Sequence, residues 1–425
     1  MRASRFVLPH LTVIVSCVLL MWPIVASGAT EKILHSFRGE PIEGSVPASG
    51  LIADKAGNLY GTTTGGGAYQ HGTVFKLTRD GRGGWTGSVL HSFEGVPDGA
   101  EPYAGLIFDS EGSLYGTTFS GGTGTCPLAS TCGTVFKLAL SASGEWTESV
   151  LYNFRGGVDG EGPYAGLTWY KARLYGTTLI GGGSGCYGYG CGTVFQLTPS
   201  GEGRWTEKIL YSFTGGIDSG EPSAFPLAVD ASGSLYGATT YPGNCSGCFD
   251  VIDSIFEVSP HADGSWTERE IHFFDPYGVP TGVVFDSAGD LYGTTSSTQL
   301  GGYGSVFKLS PSKGLWNYST LYFFKGGADG AYPNGGLTFD ASGTIYGMTF
   351  TGGSFSCNYS LGCGLVFELT PGSGGQYTYS VLHWFGSSPD GYAPDAGVIL
   401  DAAGNIYGTT GLGGAGYGTV FEITP

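Results

Sequence analysis

Apolar and polar positions along this chain form four short runs, and the set of four recurs seven times. In the second copy the runs are 104–109 (AGLIFD), 113–118 (SLYGTT), 133–138 (GTVFKL) and 146–154 (WTESVLYNF). Each is rich in β-branched and aromatic residues, is bounded by Gly, Asp or Ser, and lacks a helical period, so each predicts a β-strand. In order they are strands a, b, c and d. The tyrosine of strand b falls at Tyr60, Tyr115, Tyr175, Tyr236, Tyr292, Tyr346 and Tyr407, at intervals of 54 to 61 residues, which marks a repeat array. The fourth b motif, Leu235-Tyr-Gly-Ala-Thr-Thr240, reads as carrying one inserted Ala.

The a–b connection is a hairpin with a stated mechanism. Asp109-Ser-Glu-Gly112 pairs an Asp that can fold over the backbone with a Gly that supplies positive φ at the exit. Similar turns start at Asp54, Asp230, Asp286, Asp340 and Asp401, while the third copy departs at 169–173 (WYKAR). These aspartates read as structural. Strand c carries Phe75, Phe136, Phe195, Phe256, Phe307, Phe367 and Phe421. Strand d opens on Trp85, Trp146, Trp205, Trp266, Trp316 or Tyr377 and carries a Phe eight residues later. That even spacing predicts one sheet face for each such pair, buried between stacked sheets.

Four-stranded units joined in series predict an all-β fold, a seven-bladed β-propeller with antiparallel blades. The ends of the chain sharpen this. The seventh copy stops after its strand c at 421–425, whereas 31–37 (EKILHSF) reads as a strand d with no a, b or c before it. The N-terminal strand is expected to complete the last blade, closing the ring and removing the unpaired edge of an open array. In such a blade the d–a and b–c loops emerge on one face.

Composition then places the chain. Residues 1–29 read as a signal peptide: Arg2 and Arg5, an apolar run over 11–25, and Ser27-Gly28-Ala29 before the expected cleavage point. Two rivals remain, a lipoprotein leader ending at Cys17 and an uncleaved anchor, since the run approaches the ~18–20 residues that span a bilayer. Residues 30–425 then form a single propeller domain with no further membrane span, expected to be a monomer. The formal charge of −17, which deepens when Arg2 and Arg5 are removed, argues against a nucleic-acid partner, which needs basic surface. Beyond Cys17, eight cysteines form close pairs, Cys126/Cys132, Cys186/Cys191, Cys245/Cys248 and Cys357/Cys363, each in one of the longer b–c loops. In an oxidising compartment these predict four local disulfides, and a secreted, periplasmic or cell-surface protein.

The pattern G-L-x-x-D-x-x-G-x-L-Y-G-T-T…G-T-V-F-K-L…W-T-E-x-V-L-x-x-F resembles the GloVer tandem-repeat family of exported bacterial proteins, over nearly all of 31–425. The a–b hairpin is also similar to NHL-type propeller repeats. The resemblance implies export and tandem repeats; it implies no chemistry and no catalytic residues.

No G-x-S-x-G, H-E-x-x-H, EF-hand loop or P-loop occurs. His35, His91, His272 and His383 stand two before the strand-d Phe and alternate with Tyr152, Tyr211 and Tyr322, so they read as outer-strand side chains that do not converge on a metal. The candidate binding surface is the face of the d–a and b–c loops. The d–a loops carry Asp98, Asp159, Asp218, Asp329 and Asp390, with Tyr103 and Tyr164 nearby, and the b–c loops add Tyr187, Tyr189, Tyr241 and Tyr359. Carboxylates that accept from hydroxyls, beside aromatic faces, suit a glycan or an extracellular protein. Asp-Gly is equally ordinary turn chemistry. A ring of such acids could also hold Ca²⁺, which takes six to eight oxygens. Three functions follow: a non-enzymatic binding module, a propeller hydrolase or lyase assisted by Ca²⁺ with acids at the channel mouth, or a purely structural envelope protein.

Overall fold

The computed structural model describes residues 24–25, 28–39, 43–126, 131–216, 218–240, 253–274, 278–297, 302–357 and 360–425. Seven four-stranded antiparallel sheets follow one another. Blade 2, for example, orders Ile107–Phe108, Leu114–Thr118, Thr134–Leu140 and Trp146–Asn153 from its inner strand a to its outer strand d. Blade 7 takes Ile399–Leu400, Ile406–Thr410 and Thr419–Thr424 from the C-terminus and Thr30–Ser36 from the N-terminus, with Thr30 opposite Thr424. The expected closure is therefore the observed one. Ile24–Val25, inside the stretch read as a leader, pairs in parallel with Tyr377–Trp384, the outer strand of blade 6. No helix among the described residues is long and apolar enough to cross a membrane.

Among the described residues the core is not central but divided among seven clusters, one at each boundary between blades. Between blades 1 and 2 lie Tyr60, Val74 and Phe93 against Leu106, Leu114, Phe136 and Leu138. Between blades 7 and 1 lie Phe37, Tyr407 and Val420 against Leu51, Leu59 and Phe75, so the last boundary is packed like the others. At every boundary the Phe after one blade's strand d meets the strand-c Phe of the next blade edge-on, with centroids 5.1–5.2 Å apart. Each buried ring contributes roughly 1.5–3 kcal/mol.

The strand-b motif is explained position by position. Its Gly lies beneath the strand-c ring: a Cβ on Gly116 would sit 2.6 Å from Phe136 Cζ, and the six equivalents give 2.5–2.7 Å. Its Tyr donates to the Asp of the a–b turn, as Tyr115 does to Asp109 at 3.0 Å. In the third copy, which lacks that Asp, Gln196 donates to Tyr175 Oη instead at 2.7 Å. In three copies the first Thr donates to the next blade, Thr62 to the Ala104 carbonyl, Thr117 to that of Ala165 and Thr409 to that of Ser49, whereas Thr294 pairs with Thr281 of its own blade and Ala238 and Met348 carry no hydroxyl. The second Thr bonds to strand c, Thr118 with Thr134 and Thr178 with Thr193.

Two sequence expectations are corrected by register. Thr239 pairs with Ser254 as Thr118 pairs with Thr134, so Ala238 replaces the first Thr and nothing is inserted. Trp146 and Phe154 do not share a face: Trp146 packs with Tyr60 toward blade 1, Phe154 with Phe195 toward blade 3. The cause is a β-bulge, which leaves Leu151 as the extra residue between Val150, opposite Phe136, and Tyr152, opposite Val135. Every blade has this bulge in its c–d pairing, and it reverses the alternation of strand d before its Phe.

Of the four expected disulfides, three are formed: Cys126–Cys132, Cys186–Cys191 and Cys357–Cys363, each against a core cluster between blades. The fourth, Cys245–Cys248, is not among them, because Cys245 and Cys248 both lie in the stretch 241–252, outside the described residues.

Candidate functional site

The predicted surface divides in two when placed on the fold. Each d–a aspartate is committed to its own loop. Asp98 accepts from the Glu94 amide at 2.9 Å and contacts His91 Nε2 at 2.8 Å. Asp159 accepts from the Arg155 amide and Tyr152 Oη, Asp218 from the Thr214 amide and Tyr211 Oη, and Asp329 from the Lys325 amide and Tyr322 Oη. Asp390 accepts from the Gly391 amide at 2.7 Å, and His383 Nε2 lies 3.2 Å away. The Asp thus ties its loop to the residue two before the strand-d Phe, at the outer edge of its blade. The five are spread around the rim rather than gathered at the axis.

Tyr103 and Tyr164 are brought together, with ring centroids 4.9 Å apart and planes tilted by 53°. Phe119, from the b–c loop of blade 2, stands edge-on to both at 5.8 and 5.7 Å. The two tyrosines line a cavity of about 430 Å³ at the mouth of the central channel, together with Ser49, Phe225, Asn334 and Asp395. Asn334 Nδ2 donates to Asp395 Oδ1 across the boundary between blades 6 and 7. Burial raises the Asp395 carboxyl to about 6, opposed in part by that hydrogen bond. Burial, then the negative charge of Asp395, then Tyr103 push the Tyr164 phenol up to about 12. Tyr103 is also raised, by burial and then Glu101. Phe225 narrows the channel: a Cβ on Gly282 would lie 2.5 Å from Phe225 Cβ, and one on Gly336 3.8 Å from its ring.

The backbone that presents these side chains recurs. Val46, Glu101, Gly162, Glu221, Tyr332 and Ala393 all have φ between 50° and 64°, and each precedes a proline. For the five that are not glycine, a left-handed conformation before Pro is costly, of order 1–3 kcal/mol. The surroundings hold it: the Glu101 amide donates to the His71 carbonyl at 2.9 Å, and the Phe119 amide donates to the Glu101 carbonyl at 3.1 Å. Pro102 then packs on the preceding blade, where a Cβ on Gly72 would meet Pro102 Cδ at 2.7 Å. The residue after each proline is thereby delivered to the channel mouth. In chain order those residues are Ala48, Tyr103, Tyr164, Ser223, Asn334 and Asp395.

Sequence reasoning named Tyr103 and Tyr164 but missed Asn334, Asp395, Phe119 and Phe225. A signal for two of them was present, because the position after the repeated Pro varies while its neighbours stay nearly constant. Tyr189 lies in the b–c loop of blade 3, 44% exposed and away from this cavity. The Tyr187 side chain, Tyr241 and Tyr359 lie outside the described residues, as do Cys245 and Cys248. The three disulfides that are formed fit an oxidising environment.

Known proteins agree on architecture. The model of a family described as the Gloeobacter/Verrucomicrobia repeat matches residues 21–252, 129–360 and 279–425. No curated protein matches the chain. Among solved structures, a fungal alcohol oxidase of the AA5 family in complex with copper is 13% identical, with 93% of this chain and 76% of that chain covered at a TM-score of 0.54. A protein from Lactobacillus plantarum is 14% identical over 81% of this chain and 86% of its own, at 0.52. A chain of a mitotic checkpoint complex is 10% identical over 100% and 98%, at 0.52. At such identities the likeness is one of fold alone.

Proposed function

The chain belongs to the Gloeobacter/Verrucomicrobia repeat family, and on that scaffold we propose an exported, non-enzymatic binding module that takes a glycan at the channel mouth. The observation that carries this reading is the convergence of Tyr103 and Tyr164 with the Asn334–Asp395 pair in one cavity of about 430 Å³. Aromatic faces suit the apolar side of a sugar ring, while a carboxylate and an amide suit its hydroxyls. The volume is that of a small-molecule pocket, not of a flat protein interface. Export is supported by the three disulfides and by the leader-like start of the sequence.

The hydrolase or lyase reading requires two or three acids to converge. Asp395 is the one carboxylate among the described residues lining the cavity, and the five d–a aspartates are engaged at the rim. This favours binding over catalysis.

A glycan array followed by calorimetry on the best hit tests the proposal. Tyr103→Ala combined with Tyr164→Ala should weaken binding by at least ~10-fold, about 1.4 kcal/mol, with the melting temperature checked in parallel. Binding that survives this change in a folded variant would refute the site, and turnover of the bound glycan would refute the non-enzymatic reading.

A further inference from the structure

The histidines of the outer strands do not converge on one another. On the fold, two of them instead meet carboxylates from their own loop and from the next blade. His91 Nε2, Asp98 and Glu148 offer donor atoms that all lie within 4.8 Å of one another, and so do His383, Asp390 and Glu31. We propose that these two clefts, between blades 1 and 2 and between blades 6 and 7, are equivalent sites for a divalent transition-metal ion of the zinc type.

The two clusters are built from the same repeat positions. The His stands two before the strand-d Phe, directly after the bulge that reorients the strand. Its ring packs edge-on against that Phe, at 4.8 Å for His91 on Phe93 and 5.0 Å for His383 on Phe385. The Asp commits Oδ1 to a backbone amide, of Glu94 or of Gly391, and turns Oδ2 toward Nε2. The Glu comes from the outer strand of the following blade. In both clusters its Oε1 is buried and has no hydrogen-bond partner, as is also true of Glu207 and Glu268 at this position, so the His is what sets the two clusters apart. Among the described residues no Lys or Arg forms an ion pair with any of the four carboxylates. Two carboxylates and one imidazole, oriented by loop amides and by packing, face one point with a spare buried oxygen.

The donor set selects the class of ion. Imidazole nitrogen with carboxylate oxygen suits zinc and its first-row neighbours, and three protein ligands leave a position for water. Ca²⁺ and Mg²⁺ favour oxygen alone. The molecule also holds its own controls. The clefts after blades 2 and 3 carry the same pair of acids, Asp159 with Glu207 and Asp218 with Glu268, but Tyr152 and Tyr211 stand where the His would be and donate to the Asp. After blade 5, Tyr379 replaces the Glu and stacks on Tyr322 at 4.2 Å. The fold therefore builds this cleft with or without a ligand set. At the boundary of blades 6 and 7 the ion would tie Glu31, on the strand that closes the ring, to blade 6.

Tag-free full chain, stripped with chelator, is titrated with ZnCl₂ by calorimetry, and bound metal is counted after gel filtration. The expected result is two zinc ions per chain and a raised melting temperature. His91→Tyr and His383→Tyr should each remove one ion, and the double variant both, while its metal-free melting temperature stays within about 2 °C of the parent, since Tyr already occupies this position in blades 2, 3 and 5. Absence of saturable binding would overturn the proposal. So would a zinc count unchanged in the double variant, or Ca²⁺ binding of equal affinity at four sites per chain, which would mean that acid pairs bind without His.

Discussion

Gly116 shows how little freedom a constant residue has here. Its missing side chain is the space that the Phe136 ring fills, since a Cβ would lie 2.6 Å from Cζ and 2.9 Å from Cε1. Phe93 packs edge-on against the same ring at 5.1 Å, which restricts its retreat. Gly116→Ala should destabilise the protein by about 1–3 kcal/mol through overpacking, read as a lower denaturation midpoint at constant slope. Adding Phe136→Leu should restore part of the loss; a neutral Gly116→Ala would show that the ring can shift. Neighbouring residues follow the same logic. Tyr115 is constant because its hydroxyl closes the turn on Asp109, and Gln196 takes over for Tyr175 where that Asp is missing. Function was harder to read at this scale. Asp395 and Tyr164 come from the ends of two different repeats, and only packing at the axis makes them neighbours.

At the scale of elements, the strands were largely legible and their faces were not. Period-two alternation located strand d, but the bulge at Leu151 breaks that period and sends Trp146 and Phe154 to opposite boundaries. A bulge has no composition of its own, so nothing in the run WTESVLYNF announces it. The long b–c loops obey simpler rules. Cys126–Cys132 joins two cysteines six positions apart, and both side chains also belong to the core between blades 2 and 3. Replacing both cysteines by Ala should cost about 2 kcal/mol by chain entropy alone, and more if the core loosens. Chemical denaturation of the double variant, beside the reduced parent, measures it; an unchanged midpoint would mean that the bridge is incidental.

The whole molecule is a ring whose seven boundaries each carry part of the stability, so charge placed at boundaries acts on the entire fold. Glu207, across from Asp159, is raised to about 7 by burial and then by that Asp, with Arg155 opposing. Glu268, across from Asp218, and the adjacent Glu270 are raised for the same first reason. The sign follows from linkage. A carboxyl with a folded-state pKa above its unfolded value near 4.5 favours the fold fully below that value, and the advantage is lost as pH rises through about 7. The melting temperature should therefore fall between pH 5 and pH 8 in metal-free buffer. Glu207→Gln should recover on the order of 1 kcal/mol at pH 8, allowing for screening at its partly exposed position, and change little at pH 5. A flat profile, or equal effects at both pH values, would contradict this origin.

Sequence alone determined the repeat, the number of blades, the strand order and the closing of the last blade by the first strand. Each of these depends on local pattern and on counting, and local pattern survives in one dimension. The pairing of the described cysteines was legible for the same reason, being five or six residues apart. The pairing of Cys245 with Cys248 stays an expectation of the sequence, since both lie outside the described residues. Tertiary structure alone decided which side chains meet across boundaries: Asn334 with Asp395, Tyr103 with Tyr164, and His91 and Asp98 with Glu148. These partners lie some 50 to 60 residues apart, about one repeat, a spacing that marks successive blades without saying which side chains touch. They meet because each blade turns its outer strand toward the next and its post-proline residue toward the axis. The constant positions build that geometry, and the variable ones inherit whatever neighbours it supplies.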